Sequence, residues 1–311
     1  MSTQEEVFGH INKYAKSDNL RAFQYLVVTL TGCAGGFFLP TWCIPLHTLF
    51  FIRLFMCFHD MGHGFFFKTR FLNLLVGTLC GTLTATSFDQ WNTTHNEHHK
   101  ISNDLTHTQY AQTAVFTVSE YRKLSPVYQF LYRKLSGNRL AMLTAVPIYL
   151  SVVNPLIRAK NNHEKVLLIS FLYFLFTVNR LQHFYSCVLL GNLVGFILFH
   201  TQHTFDSAKR RKDMSHFDSA LEGASFLQVP WYLKWASAGI EYHHIHHLSV
   251  AVPLYNLQSC HEEAPNDMFK SVKRITVWEG LESLKYTLYD EEKDRLISFE
   301  ELLPAHIEMI S

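Results

Sequence analysis

Two apolar runs lie back to back near the start of the chain: AFQYLVVTLTGCAGGFFL (22–39) and TWCIPLHTLFFIRLFMCF (41–58). Each approaches the ~20 residues that a helix needs to cross a bilayer. The link around Pro40 carries no charge, whereas Lys13, Lys16 and Arg21 precede the first run and Lys68 and Arg70 follow the second. Cationic flanks stay on the cytoplasmic side, which places both outer ends of the pair there and the tight turn opposite. A buried helical hairpin in a soluble protein is the alternative, but the lengths favour a membrane.

Four further apolar runs follow: a weaker one rich in Gly and Thr at 71–88, then 138–157, 165–178 and 183–199; beyond residue 205 the chain is polar. Composition agrees, with 48% hydrophobic and 17% charged residues, below the usual charged share of about 25%. A net charge of +1 gives no support for a nucleic-acid partner. The six cysteines form no C-x-x-C pair and mostly sit in or beside apolar runs, so they are expected as buried thiols. The polar N-terminus is no secretory signal. Without repeats or low-complexity linkers, residues 1–311 are expected to form a single membrane domain.

Nineteen histidines are the second constraint, and they cluster. HDMGH carries His59 and His63; HNEHH carries His95, His98 and His99; HTQHTF carries His200 and His203; HHIHH carries His243, His244, His246 and His247. On a helix, positions i, i+3 and i+4 share a face, so each group aims its imidazoles at one point. Two H-x-x-H-H patterns would arise by chance only on the order of 0.002 times in a chain of this composition. Metal binding follows. Structural zinc needs four ligands and usually recruits Cys. Eight or nine imidazoles suit two ions, and in a membrane setting an oxygen-activating iron pair fits best. Asp60, Glu97, Asp104, Asp206 and Glu241 are candidates for holding the second N–H of the ligand imidazoles, the alternative being ordinary solvated acids. His47, inside a run, is expected to bond to a neighbouring helix. His10, His163, His183 and His306 are expected at the surface or at interfaces, and His107 and His261 lie near the clusters without an assigned role.

The order H-x-x-x-H, H-x-x-H-H, Q-H-x-F, H-x-x-H-H resembles the integral-membrane fatty acid desaturases. The likeness extends to FHDMGHGFFF, to WNTTHNEHHKISNDL with VFTVSEY after it, and to FHTQHTFD and the stretch from DSALEGASF through EYHHIHHLSVAVPLY to HEEAP, across roughly residues 20–290. It implies an oxygen-dependent oxidoreductase that places a double bond in an acyl chain, using O2 and two electrons at two non-haem irons. The implied ligands are His59, His63, His95, His98, His99, His203, His243, His246 and His247. His200 is either a further ligand or a residue behind them, and His244 is structural. The implied substrate is an acyl lipid or acyl-CoA. No fused cytochrome b5 domain is expected, so electrons come from a separate ferredoxin or cytochrome b5. KRRK (209–212) is a candidate dock for that donor or for lipid phosphate, or else simply holds the membrane orientation. His243 in place of Gln argues against the front-end branch. The sequence departs from the family pattern at Gly239, Glu241 and Leu254, which puts regiochemistry beyond transfer. The alternatives are a related di-iron hydroxylase or carotenoid-modifying oxygenase, and, further off, a His-rich metal transporter.

All the histidine groups must reach one pair of ions, so they must share one side of the membrane. The run at 71–88 should therefore lie in the interface or re-enter. Between His99 and His200, the cations of RAKNNHEK (158–165) favour a hairpin over 165–199 and leave 138–157 uncrossed. The expected fold is an all-α integral membrane protein: about four spanning helices under a cytoplasmic, His-rich helical cap that holds the di-iron site. It would lie in the endoplasmic reticulum or a bacterial cytoplasmic membrane.

Overall fold

The computed structural model describes residues 3–106, 115–158, 160–265 and 268–302; His107 and His306 lie outside them. Helices dominate. In chain order they are α1 (Gln4–Ile11), α2 (Asn19–Gly36), α3 (Ile44–His63), α4 (Arg70–Leu83), α5 (Phe88–Ile101), α6 (Val118–Lys123), α7 (Pro126–Ser136) and α8 (Arg139–Ile148). A π-helical stretch, Tyr149–Arg158, continues α8, and α9 (Asn162–Thr177), α10 (Leu181–His203), α11 (His216–Glu222), α12 (Lys234–Ser237), α13 (His243–Leu248), α14 (Leu254–Glu262), α15 (Val277–Ser283) and α16 (Phe299–Leu302) follow.

Four crossings were expected; among the described residues, two helices are long and apolar enough to cross a membrane, Thr41–His63 and Leu181–His203. A third arises only if α4 and α5 count as one broken span, for they meet at 106°. The run at 71–88, expected to lie in the interface or to re-enter, covers α4 and this bend. Helix α9 has 16 residues, about 24 Å at 1.5 Å per residue, short of the ~30 Å hydrocarbon layer. The run at 138–157 carries Pro147 inside α8 and then turns π-helical, in keeping with its expected failure to cross.

The cap is not purely helical. Short strands β1 (Phe116–Thr117), β2 (Phe226–Gln228), β3 (Arg274–Thr276), β4 (Leu288–Asp290) and β5 (Arg295–Ile297) form two small sheets. Strand β4 pairs parallel with β1 and antiparallel with β5, while β2 pairs parallel with β3, Leu227 opposite Ile275. Two or three residues are too few for a period-2 pattern to show in a sequence, which is why the all-α expectation missed them.

Helix α3 is the axis of the bundle and packs against α2, α4, α10 and α12. Its contact with α2 depends on two glycines one turn apart. A Cβ at Gly32 would strike the Phe50 ring, and one at Gly36 the His47 ring. This is the small-residue spacing that lets helices approach closely in lipid. His47 is held on both sides: Nε2 lies 2.8 Å from the Cys33 carbonyl on α2 and Nδ1 2.9 Å from His183 Nε2 on α10. The neighbouring-helix role expected of His47 is what the structure shows. His10 and His183, expected at the surface or at interfaces, are buried, because each has a partner inside: the Cys260 carbonyl at 2.8 Å for His10, and His47 for His183. A Gly36→Ala variant should therefore lose about 1–3 kcal/mol of stability, since the pinned His47 ring cannot yield. Thermal unfolding in detergent checks this, and an unchanged midpoint refutes it.

Arg53, buried on α3, donates to the carbonyl of Trp235 in α12 and to Thr29 Oγ1 at 3.1 Å, with Tyr25 stacked at 4.2 Å. It thereby ties α2, α3 and the cap together. All six cysteines are buried free thiols, as expected.

Candidate metal centre

Each histidine group sits at a helix end for a local reason. Helix α3 stops directly after His63, where Gly64 takes a left-handed φ of 85°. Helix α5 starts at Ser87, whose hydroxyl caps the Gln90 N–H, and carries His98 and His99 in its last turn. His200 and His203 occupy the last turn of α10. Three helix C-termini thus converge, and their unpaired carbonyls bias the site toward cations. The fourth group rides on α13, which follows Gly239 at φ 94°. A Cβ there would lie 2.6 Å from the Leu254 carbonyl. Positive φ favours glycine, and the close carbonyl leaves no room for a side chain at Gly239.

All nine histidines come together in two groups. His59, His63, His95, His99 and His246 each offer a donor atom within 4.8 Å of the others. His99 Nε2 lies 3.1 Å from both His95 Nε2 and His246 Nε2. His98, His203 and His247 form the second group. His243 joins it, because its Nε2 is 2.9 Å from His203 Nε2, which is also 3.2 Å from His98 Nε2. The groups touch where the His99 and His247 rings stack at 4.2 Å.

Hydrogen bonding alone does not account for this crowding. A neutral imidazole has one donor and one acceptor nitrogen. His203 Nδ1 donates to the Gly223 carbonyl at 3.2 Å, so its Nε2 turns a bare lone pair toward two other rings. His63 Nδ1 likewise donates to Asn96 Oδ1 at 2.9 Å. Its Nε2, the Nδ1 atoms of His98, His99 and His243, and Nε2 of His247 are buried without hydrogen-bond partners. Metal–imidazole bonds of about 2.1 Å meeting near right angles would space donor nitrogens about 3 Å apart, as found here. Burial, reinforced by neighbouring imidazoles, holds His243, His246 and His247 well below the ordinary histidine range. They are neutral, as ligands must be. The residues fit metal ions.

Two histidines stand apart. His200 turns Nε2 to the Ser283 carbonyl at 3.4 Å. His244 Nε2 lies 3.1 Å from His261 Nδ1, so these two support each other behind α13.

The five carboxylates take other partners. Glu97 pairs with Lys100 at 3.3 Å and Asp206 with Lys273 at 3.2 Å. Asp60 accepts the Leu254 N–H at 3.2 Å, Glu241 accepts from Ser237 at 2.7 Å, and Asp104 accepts from Thr106 and the Asp213 N–H. Among the described residues, an amide supports the His63 ring and a backbone carbonyl the His203 ring. Sequence reasoning passed over Asn96 and over Trp91, which stacks on His95 at 4.2 Å. Trp91 lies four residues before His95, so the i, i+4 rule carried its signal. Asn96 carried none. An Asn96→Ala variant should bind metal about 10–100-fold more weakly by releasing His63; a metal titration with unchanged affinity would remove Asn96 from this role. Within KRRK, Lys209 pairs with Asp294 at 2.8 Å, Arg211 with Glu222 at 2.9 Å, and Arg210 is buried, while Lys212 is exposed.

A cavity of about 640 Å³ opens onto the first group. His59 and His95 form part of its wall, and Phe51, Phe55, Val188 and Phe199 line it from α3 and α10. The size suits one extended small molecule, and the lining is chiefly apolar.

Comparison with known proteins agrees with this geometry. Residues 35–277 match the fatty acid desaturase family. A fatty acid desaturase of Bacillus subtilis is 32% identical, over 80% of this chain and 74% of its own length. An sn-1 oleoyl-lipid 12-desaturase of Synechocystis is 24% identical, over 78% of this chain and 75% of its own. An sn-1 acyl-lipid omega-3 desaturase (ferredoxin) of Nostoc is 30% identical over a shorter stretch, 38% of this chain and 30% of its own. With its helical membrane architecture, its paired imidazole groups and these likenesses, the chain belongs to the fatty acid desaturase family.

Proposed function

We propose that this desaturase, an oxidoreductase of acyl chains, holds two irons: one at His59, His63, His95, His99 and His246, the other at His98, His203, His243 and His247. The single observation that carries this reading is the pair of touching imidazole groups at the wall of an apolar cavity. Bound iron would supply the O2-derived oxidising power that no acid or base offers toward an unactivated C–H bond. In the overall balance, –CH2–CH2– with O2, two electrons and two protons gives –CH=CH– and two waters.

The chain's own residues do the positioning. Phe51, Phe55 and Phe199 keep the acyl chain extended and water out of the cavity. Neutral imidazoles keep their lone pairs on the ions, and Asn96 and the Gly223 carbonyl fix the rings of His63 and His203. The substrate proposed is an acyl group carried on a lipid, supported by the oleoyl-lipid and acyl-lipid names of the relatives, and the donor a separate ferredoxin, after the Nostoc relative. The whole chain is read as one such domain in which α3 and α10 cross the membrane and the shorter α2 and α9, with their flanking residues, complete four crossings, the α4–α5 pair re-entering, and the centre on the cytoplasmic side of a bacterial or endoplasmic reticulum membrane. The α4–α5 bend supports this parity, since one full crossing there would part His63 from His95.

The test is the fatty-acid profile of a host without polyunsaturated lipids that expresses the protein or its His98→Ala form with a ferredoxin. A new alkene only with the intact protein is expected, and its position gives the regiochemistry. A hydroxylated product, or no product from protein present in the membrane, would defeat the reading.

A further inference from the structure

Helix α7 is amphipathic in an unusual direction. It begins at Ser125, which caps the Tyr128 N–H, with Pro126 in the first turn, and none of its residues is buried. At 100° per residue, Val127, Tyr128, Leu131 and Leu135 share one face with Phe130 beside them. These five side chains are between 45% and 67% exposed. The opposite face looks inward: Tyr132 and Ser136 line the cavity, and Tyr132 donates to the Thr287 carbonyl at 2.8 Å. Helix α7 is thus a single-helix partition, with the cavity behind it and an uncovered apolar surface in front.

We infer that the outer face of α7 is immersed in the cytoplasmic leaflet of an anionic bilayer, and that the helix forms the wall past which a lipid's acyl chain moves into the cavity; the second half rests on the function proposed above. Three observations select lipid as the occupant. Arg122 and Lys123 before the helix, and Arg133 and Lys134 in its last turn, are all exposed; Lys134 rises from within the apolar face, and anionic headgroups attract such cations. Lys134 Nζ lies 5.7 Å over the Phe130 ring, and a lysine stem of this length can follow an apolar face while its ammonium reaches the headgroups. The apolar surface also continues into the membrane part of the fold. Helix α8 starts three residues later with Leu140 71% exposed, turns Met142 and Val146 into the same cavity, and packs on α10. Arg139, at the α7–α8 junction, pairs with Glu282 at 3.1 Å. Glu282 stands one turn after Trp278, which is 73% exposed and of the residue type that settles at the headgroup level.

The test places a nitroxide on the full chain at Leu131→Cys, or at Glu292→Cys in the exposed β4–β5 turn as an aqueous reference, in vesicles of phosphatidylcholine and phosphatidylglycerol. Position 131 should be relaxed by O2, with collisions with a water-soluble nickel chelate about fivefold or more below those at 292, as for an interfacial helix. Equal nickel collision at both positions would overturn the immersion. So would shielding of 131 from both relaxants, because a protein, a second copy or the electron donor, would then cover the face. For the wall, Ser136→Trp should cut turnover of vesicle acyl lipid about tenfold or more by filling the cavity, with the iron content and the label profile at 131 unchanged. Undiminished turnover would overturn the wall and leave the immersion standing. A lack of turnover in the unsubstituted chain would count against the proposed function instead, since the spin-label result does not depend on it.

Discussion

A His99→Ala variant should lose desaturation by about two orders of magnitude or more and hold fewer than two irons per chain. His99 stands at the junction of the two imidazole groups. Its Nε2 lies 3.1 Å from two donor atoms of the first group, and its ring stacks on His247 of the second. On the proposed ligand set, removing it takes one donor from the first ion and the packing from a donor of the second, which a change at the periphery of either group would not do. His244→Ala is the comparison. His244 is as buried as any ligand but faces His261, so its loss should lower stability while leaving two irons in the folded fraction. Metal analysis of purified folded protein separates the two. Two irons in His99→Ala, or one in His244→Ala, would break the assignment.

Acid should strip and unfold the centre together. His243, His244, His246 and His247 are held well below the ordinary histidine range, chiefly by burial and then by neighbouring charge. The unfolded chain titrates them near the model-peptide value of about 6.5. Above that pH both states are neutral and the full stability is present. Below it the unfolded chain takes up protons that the folded chain refuses, so stability falls as the pH drops. The limiting slope is about 1.4 kcal/mol per pH unit for each histidine, or about 5–6 for the four. Protons and metal compete for the same lone pairs, so iron should leave over the same window. Thermal unfolding and metal retention measured from about pH 7.5 to about pH 5 check this. A midpoint that holds steady across the range would mean that these rings are not buried as neutral groups.

The parts of this molecule legible in its sequence are those set by local spacing. The runs at 22–39, 41–58 and 183–199 mark α2, the Thr41–His63 helix and α10 to within a few residues, because apolar length is itself the signal. The four histidine clusters were legible because i, i+3 and i+4 on one helix already aim rings together; which nine of their members are the ligands came from the resemblance. What was not legible depends on the return of distant segments. Asp60 looked like a support for an imidazole, yet its carboxylate reaches the start of α14, 194 residues away. Glu97 lies inside the HNEHH box but on the outer face of α5, where it meets Lys100. The ring of His203 is fixed by a backbone carbonyl at Gly223, and a carbonyl leaves no trace in composition. The paired faces of α7 were equally hidden, since a helix with lipid on one side and a cavity on the other shows ordinary amphipathicity in its sequence.

Two helices feed both imidazole groups. Helix α5 gives His95 and His99 to one and His98 to the other, while α13 gives His246 to one and His243 and His247 to the other. On the proposed ligand set, whichever ion arrives first freezes both helices and so prepays the ordering that the second would otherwise require. Loading is then cooperative, and chains with a single ion are scarce. A cell short of iron would hold fewer complete enzymes, each fully competent, rather than many partly active ones.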